Sequence, residues 1–160
     1  MRMMNRRLLP AIGLLILLVN GAAAQATGAS VGGAPATAEI VSPTGEPIDP
    51  RESVIFFYSD ACPHCHNQMR WMARVRDEFP DLDIQRFEIQ VSNNRENQEY
   101  FAQVMAAYGS NAQGWPRTVV GDRVFIGFAP ENGGEVYNDQ YQAWVGYQNQ
   151  LQTAFEGLGS

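Results

Sequence analysis

The sequence predicts an α/β fold: a central mixed four-stranded sheet flanked by helices, in the order β-α-β-α-β-β-α. Three observations carry that expectation. A continuous apolar, β-rich run is followed by helix-spaced apolar residues and then by a second β run, the pattern of two parallel strands joined by a right-handed crossover. Two short β runs meet at Gly121-Asp122, a hairpin signal. Apolar residues return at helical spacing in the last twenty or so positions.

Each element has its own signature. "SVIFFYS", Ser53 to Ser59, has no polar alternation, as expected of a strand buried on both faces. "HNQMRWMARVRDEF" places Met69, Met72, Val75 and Phe79 on one helical face, and Pro80 ends that helix. "DLDIQRFEIQV", Asp81 to Val91, carries Leu82, Ile84, Phe87, Ile89 and Val91 and predicts a second strand. A second helix follows, with Phe101, Val104, Met105 and Tyr108 at helical spacing. Ser92, Asn93 or Asn94 serves as its cap and Gly109 as its stop. "RTVVGDRVFIGF" supplies the hairpin. "NDQYQAWVGYQNQLQTAFEG" predicts a closing helix with Tyr141, Trp144, Val145, Leu151 and Phe155 on one side. Trp71, Trp144 and Tyr141 are read as packing residues, and Asp77, Glu78, Asp81 and Asp83 as a solvated helix end and loop.

The folded unit is expected over 51–160. Before it, "MRMMNRR" is basic, Leu8 to Val19 is apolar, and "NGAAAQA" is small and cleavable after Ala24 or Ala26. Basic, apolar, then small is the order of a secretory signal peptide, assigned to 1–24. The apolar run is short against the roughly 20 residues of a bilayer span, although an uncleaved anchor is the alternative. Residues 25–50 read as a flexible linker, uncharged and rich in Ala, Gly, Ser and Thr to Ala38, then punctuated by Pro43, Gly45, Pro47 and Pro50. The expected location is outside the cytoplasm, periplasmic or otherwise exported. The formal charge of −6 becomes −9 once Arg2, Arg6 and Arg7 leave with the leader, and the chain has no Lys. Such an acidic chain offers no general basic surface to nucleic acid.

The chemistry concentrates in "YSDACPHCHNQ", which holds both cysteines, Cys62 and Cys65, and both histidines, His64 and His66. An exported chain can form disulfides. A bridge between these two cysteines closes almost no loop, however, and loop closure is where a structural disulfide stabilises most. The pair is therefore reactive or a ligand pair. C-x-x-C-H is also the attachment signature of a c-type haem, with His66 proximal and Met105 as the one distal candidate. Met105 fits a helix stripe as core, and four strand signals argue against a small helical cytochrome. A metal site would start from Cys62, Cys65 and one histidine, but no second C-x-x-C or H-x-x-H completes a zinc set.

The dithiol reading gains from placement. Strand, C-x-x-C, helix puts Cys62 at a helix N-terminus, where free N–H groups and the helix dipole favour a thiolate. Pro63 suits the first turn, where no N–H is required. His64 beside the sulfurs can add a donor or a positive charge and tune the thiolate. Cys62 is then the nucleophile, and Cys65, one turn on and deeper, the resolving thiol. No cofactor beyond this redox-active pair is expected. Asp60 is the one nearby acid and is expected to face solvent. Pro116, heading a β run in "GWPRTVVGDRVFIG", reads on spacing alone as an ordinary loop proline.

"FFYSDACPHCHNQ", the element order, and "GWPRTVVGDRVFIGF" together resemble the thioredoxin superfamily, over roughly 51–157. The resemblance implies a thioredoxin-like fold and an exported protein thiol–disulfide oxidoreductase. It also implies a cis Trp115–Pro116 bond lying against the cysteines, with the backbone beside Trp115 pairing with an extended peptide substrate. Pro63-His64 is similar to the dipeptide of DsbA-type oxidants, while the compact length and "PRTVVGDRVFIGF" look more like glutaredoxins. Two family features are absent. The buried acid six residues before the first cysteine is replaced by Phe56, and the Trp before that cysteine by Ala61. His66 or a water is the expected substitute for the missing proton acceptor. The Pro-His dipeptide points toward the oxidising direction. An oxidant would imply a DsbB-like or VKOR-like quinone partner; a reductase would imply a DsbD-like or CcdA-like electron donor. The alternative is a thioredoxin-like domain that binds a metal or a partner without turnover.

Overall fold

This computed structural model describes residues 40–90 and 94–158. The leader, the linker as far as residue 39, and Ser92 and Asn93 as caps lie outside the described residues. Nine elements follow one another: β1 (Ser53–Tyr58), α1 (Pro63–Glu78), β2 (Asp83–Glu88), α2 (Arg95–Ala107), β3 (Arg117–Val120), β4 (Arg123–Ala129), β5 (Tyr137–Asn138), β6 (Ala143–Tyr147) and α3 (Gln148–Glu156). The fold is α/β, a mixed sheet flanked by helices. The sheet has six strands in the spatial order β2-β1-β3-β4-β6-β5.

That order corrects the expectation of four strands in the order β-α-β-α-β-β-α. The error lies in 138–147, read as the first half of a closing helix. Instead β6 runs parallel to β4, and β5 pairs antiparallel with β6. Trp144, Val145 and Tyr147 are good strand formers. The decisive contact is not local. A Cβ on Gly146 would sit 2.1 Å from the Gly127 carbonyl oxygen, so only glycine lets the two backbones approach there. Gly127 itself has φ of +73° and lies at a register shift between Ile126 and Ala129, a bulge in β4. Only Gln148–Glu156 remains helical, burying Leu151 and Phe155.

The opening follows the sequence closely. β1 pairs parallel with β2 and antiparallel with β3. Its residues alternate between two cores, as the pleat of a strand requires. Val54 and Phe56 face a cluster with Trp71, Met72, Val75 and Phe155, beneath α1 and α3. Ile55 and Phe57 face a second cluster with Phe87, Phe101, Val104 and Met105, beneath α2. Trp71 is stacked between Phe128 and Phe155, with ring centroids at 5.5 and 5.4 Å. Met69 and Phe79 only fringe this core, while Cys65 and Gln68 join Met72 and Val75 as buried residues of α1. α1 stops at Glu78, just before Pro80, and α2 stops before Gly109 at φ +63°.

Residues 40–50, read from the sequence as the end of the linker, fold back on themselves through a bridge between Val41 and Pro47. The Pro50 carbonyl then accepts a hydrogen bond from Gly121 N–H in the β3–β4 turn, at 2.6 Å. Among the described residues no helix is long and apolar enough to cross a membrane.

Candidate active site

The two cysteines lie at the carboxyl end of β1, where the chain turns into α1. Ser59 organises the turn: its carbonyl accepts from Cys62 N–H at 3.1 Å and its Oγ accepts from Ala61 N–H at 3.1 Å. The Ser59 hydroxyl in turn donates to Gln90 Oε1, which ties the turn to the end of β2. Cys62 is the N-cap of α1, with extended backbone at φ −96° and ψ 113°. Its Sγ accepts the Cys65 N–H at 3.2 Å. A sulfur thus does the capping that a Ser or Asp oxygen usually does. Pro63 takes the first helical position, which needs no N–H.

The two thiols are free, and they differ in burial and surroundings. Cys62 retains 8 % of its surface and Cys65 none. The N–H aimed at Cys62 Sγ, together with the helix dipole, stabilises negative charge on that sulfur. Burial pushes the Cys65 thiol up to about 12, and its hydrogen bond with Cys62 adds to the rise, while hydrogen bonding from the Ser59 backbone opposes it. Cys65 is the sulfur that burial holds in its protonated form.

Across from Cys62 stands the segment before β3. The Trp115–Pro116 peptide bond is cis, the isomer that the resemblance implied. The Trp115 carbonyl oxygen lies 4.0 Å from Cys62 Sγ. Trp115 itself is 38 % exposed. The Pro116 carbonyl accepts from Gly127 N–H at 2.9 Å, so the bulge in β4 also fixes this loop. Trp115, Pro116, Cys62 and Cys65 are therefore brought together.

The histidines are placed differently from the sequence expectation. His64 is exposed and makes no hydrogen bond among the described residues. His66 is exposed too, and its Nε2 pairs with the Asp60 carbonyl at 2.7 Å. Its ring closes the turn from outside instead of serving Cys65 from within. Asp60 is exposed. Phe56, in the position of the missing acid, is fully buried and stacked on Tyr58 at 5.6 Å.

Two residues near the site were not singled out from the sequence. Gln68, one turn beyond Cys65, is fully buried. Its Nε2 donates to Thr118 Oγ1 at 2.6 Å, and its Oε1 has no partner among the described residues. The signal was present as a polar residue three positions from Cys65 and four from Met72 on the apolar face of α1. Arg117, directly after Pro116, is fully buried as well. An arginine heading the β run "RTVV" was the visible sign.

Among the described residues no group of three His, Cys, Asp or Glu side chains is gathered as a metal ligand set. A solvent-open cavity of about 790 Å³ lies at the other end of β3, lined by Asp49, Arg51, Asp122, Arg123 and Glu135 among others, and neither cysteine borders it. The fold gathers here a thiol at a helix N-cap with an N–H on its sulfur, a fully buried thiol one turn behind it, and the Trp115 carbonyl 4.0 Å from the first sulfur. No family model, curated protein or solved structure matches the chain.

Proposed function

We propose that this chain is an exported protein thiol–disulfide oxidoreductase of the thioredoxin superfamily, acting by dithiol–disulfide exchange at Cys62 and Cys65. The observation that carries the reading is Cys62 as N-cap of α1, its Sγ accepting the Cys65 N–H at 3.2 Å and facing the carbonyl of a cis Trp115–Pro116 bond at 4.0 Å. Disulfide donation is the favoured direction, because stabilising a thiolate at Cys62 stabilises the reduced protein and makes the pair more oxidising.

In that direction a substrate thiolate attacks Cys62 Sγ of the Cys62–Cys65 disulfide. The S–S bond breaks and the electron pair leaves on Cys65, which takes up a proton in its buried site. The substrate's second thiolate then attacks its own sulfur in the mixed disulfide. Cys62 departs as thiolate, the substrate gains a disulfide, and the protein holds two electrons as a dithiol. Run in reverse, Cys62 attacks a substrate disulfide. Cys65 resolves the adduct and gives up its proton, which ends on the released substrate thiolate through solvent.

Reoxidation of the dithiol would fall to a membrane quinone enzyme of the DsbB or VKOR type; a reductase would draw on a DsbD-like or CcdA-like donor. The leader, the acidic charge and the unpaired exposed Trp115 suit a protein that meets unfolded chains outside the cytoplasm. The test is to express Cys65→Ser with its leader. Mixed disulfides with exported proteins should accumulate, dissolve on reduction, and vanish when Cys62→Ser is added. An exported Cys65→Ser protein that forms no such adducts sinks the exchange reading.

A further inference from the structure

Arg117 has no surface exposure, and among the described residues no carboxylate pairs with it. Desolvating a guanidinium is costly, and only a complete set of hydrogen bonds offsets it. Here the set is complete. A guanidinium has five N–H donors, and five bonds are made. Nη1 donates to Ser110 Oγ at 2.8 Å and to the Tyr141 carbonyl at 3.3 Å. Nη2 donates to the Gln113 carbonyl at 2.5 Å and to Asn111 Oδ1 at 3.1 Å, and Nε to the Gly114 carbonyl at 3.3 Å. The guanidinium also lies 5.5 Å from the ring centre of Tyr141.

Four of those five acceptors belong to residues 110–114, which join α2 to Trp115 and Pro116. This segment is in no strand or helix. Its position comes from side-chain bonds, and Arg117 supplies most of them. Tyr141 closes the other side: a Cβ on Gly114 would be 3.2 Å from its ring, and its carbonyl also accepts from Ser110 Oγ at 3.0 Å. The segment ends at the carbonyl that faces Cys62.

We propose that Arg117 is a positioning residue for peptide substrates: it fixes the 110–114 segment, and through it the Trp115 backbone, so that an extended peptide meets a preformed edge beside Cys62. The proposal rests on the reading of Cys62 and Cys65 as an exchange dithiol. It separates two classes of substrate. A peptide disulfide needs both the sulfur and the edge, whereas a small disulfide without amide groups, such as bis(2-hydroxyethyl) disulfide, has no backbone to pair with the edge.

The experiment compares the reduced mature chain with its Arg117→Lys and Arg117→Met variants. Each is assayed on bis(2-hydroxyethyl) disulfide and on a disulfide-bonded peptide long enough to lie along the loop. Asn111→Ala and Ser110→Ala, which each remove one acceptor and keep the cation, carry the same test should the Arg117 variants fail to fold. The expected result is a fall in the ratio of the peptide rate to the hydroxyethyl disulfide rate of about tenfold to a hundredfold, the scale at which a small misplacement acts on an oriented reaction. It should read as a rise in KM for the peptide, with faster amide hydrogen exchange across 110–116. Equal loss on both substrates would overturn the proposal, because Arg117 would then act on the fold or on Cys62 itself. An unchanged ratio would overturn it too. Wild-type protein inert on both disulfides would fail earlier, at the exchange reading.

Discussion

On the face of the sheet covered by α2, Arg117 buries five N–H donors and every one meets an oxygen. On the face covered by α1, Gln68 buries a carboxamide whose Nε2 meets Thr118 and whose Oε1 meets no donor among the described residues. The two faces are set by adjacent residues of β3. Arg117 lies opposite Phe57 and Thr118 opposite Phe56 in the pairing with β1, and those phenylalanines belong to the two different cores. Buried polar groups that are fully satisfied make a structure rigid, whereas an unsatisfied one weakens it locally. The comparison teaches that the loop facing the dithiol is fixed from the α2 side. The helix carrying the dithiol keeps a polar imperfection one turn behind Cys65.

Alkali should have the largest effect, and on the α1 face it acts through the buried thiol of Cys65. Burial raises Cys65 from a usual 9.0 to about 12. The unfolded chain loses that proton first, so the stabilisation is whole below pH 9 and declines as pH rises toward 12, by up to about 1.4 kcal/mol per pH unit. Burial pulls Arg117 below its usual 12.5, but an arginine stays protonated in proteins and all five of its N–H donors are bonded here, so it adds no titration across this range. Tyr100 and Tyr108, raised by burial, give a loss of the same sign on the α2 face. The difference between reduced wild type and Cys65→Ala isolates the thiol. Urea unfolding across pH 8–11 should show the wild type losing stability relative to the variant above pH 9. Parallel curves would mean that Cys65 is not held protonated by burial.

A smaller effect sharpens the α1 side. Thr118→Val removes the one partner of Gln68 and leaves both ends of a buried amide unpaired, at a loss of about 1–3 kcal/mol. Gln68→Leu removes the polar group altogether and should change stability by less than about 1 kcal/mol, since an apolar replacement of similar volume relieves the orphan. Denaturant midpoints at constant slope decide it. A Gln68→Leu loss as large as that of Thr118→Val would show that the Gln68 oxygen is satisfied in solution.

Local patterning revealed much of this architecture. The run at 53–59 was legible as a doubly buried strand because it lacks polar alternation, and the helices after it through their apolar spacing. The cap position of Cys62 followed from strand, C-x-x-C and helix lying in sequence. What escaped was whatever depends on distant partners. Trp144 and Val145 suit a helix stripe as well as a strand, and the contact that decides between them is Gly146 against Gly127, nineteen residues apart in the chain. Gln68 and Thr118 are 50 residues apart, and no local pattern couples them. His66 was assigned an inner role because it adjoins Cys65 in sequence, but the helical turn carries its ring outward to Asp60.

The central claim, that Cys62 and Cys65 form one exchangeable pair, is tested most directly by equilibrating the mature chain with thiol buffers of graded potential and counting its free thiols. The account predicts a single two-electron transition, lost in Cys62→Ser and in Cys65→Ser alike. Its midpoint should lie nearer the roughly −120 mV of strong disulfide donors than the roughly −270 mV of reductants. Thiols that stay reduced across the whole range, or that oxidise only between molecules, would contradict it.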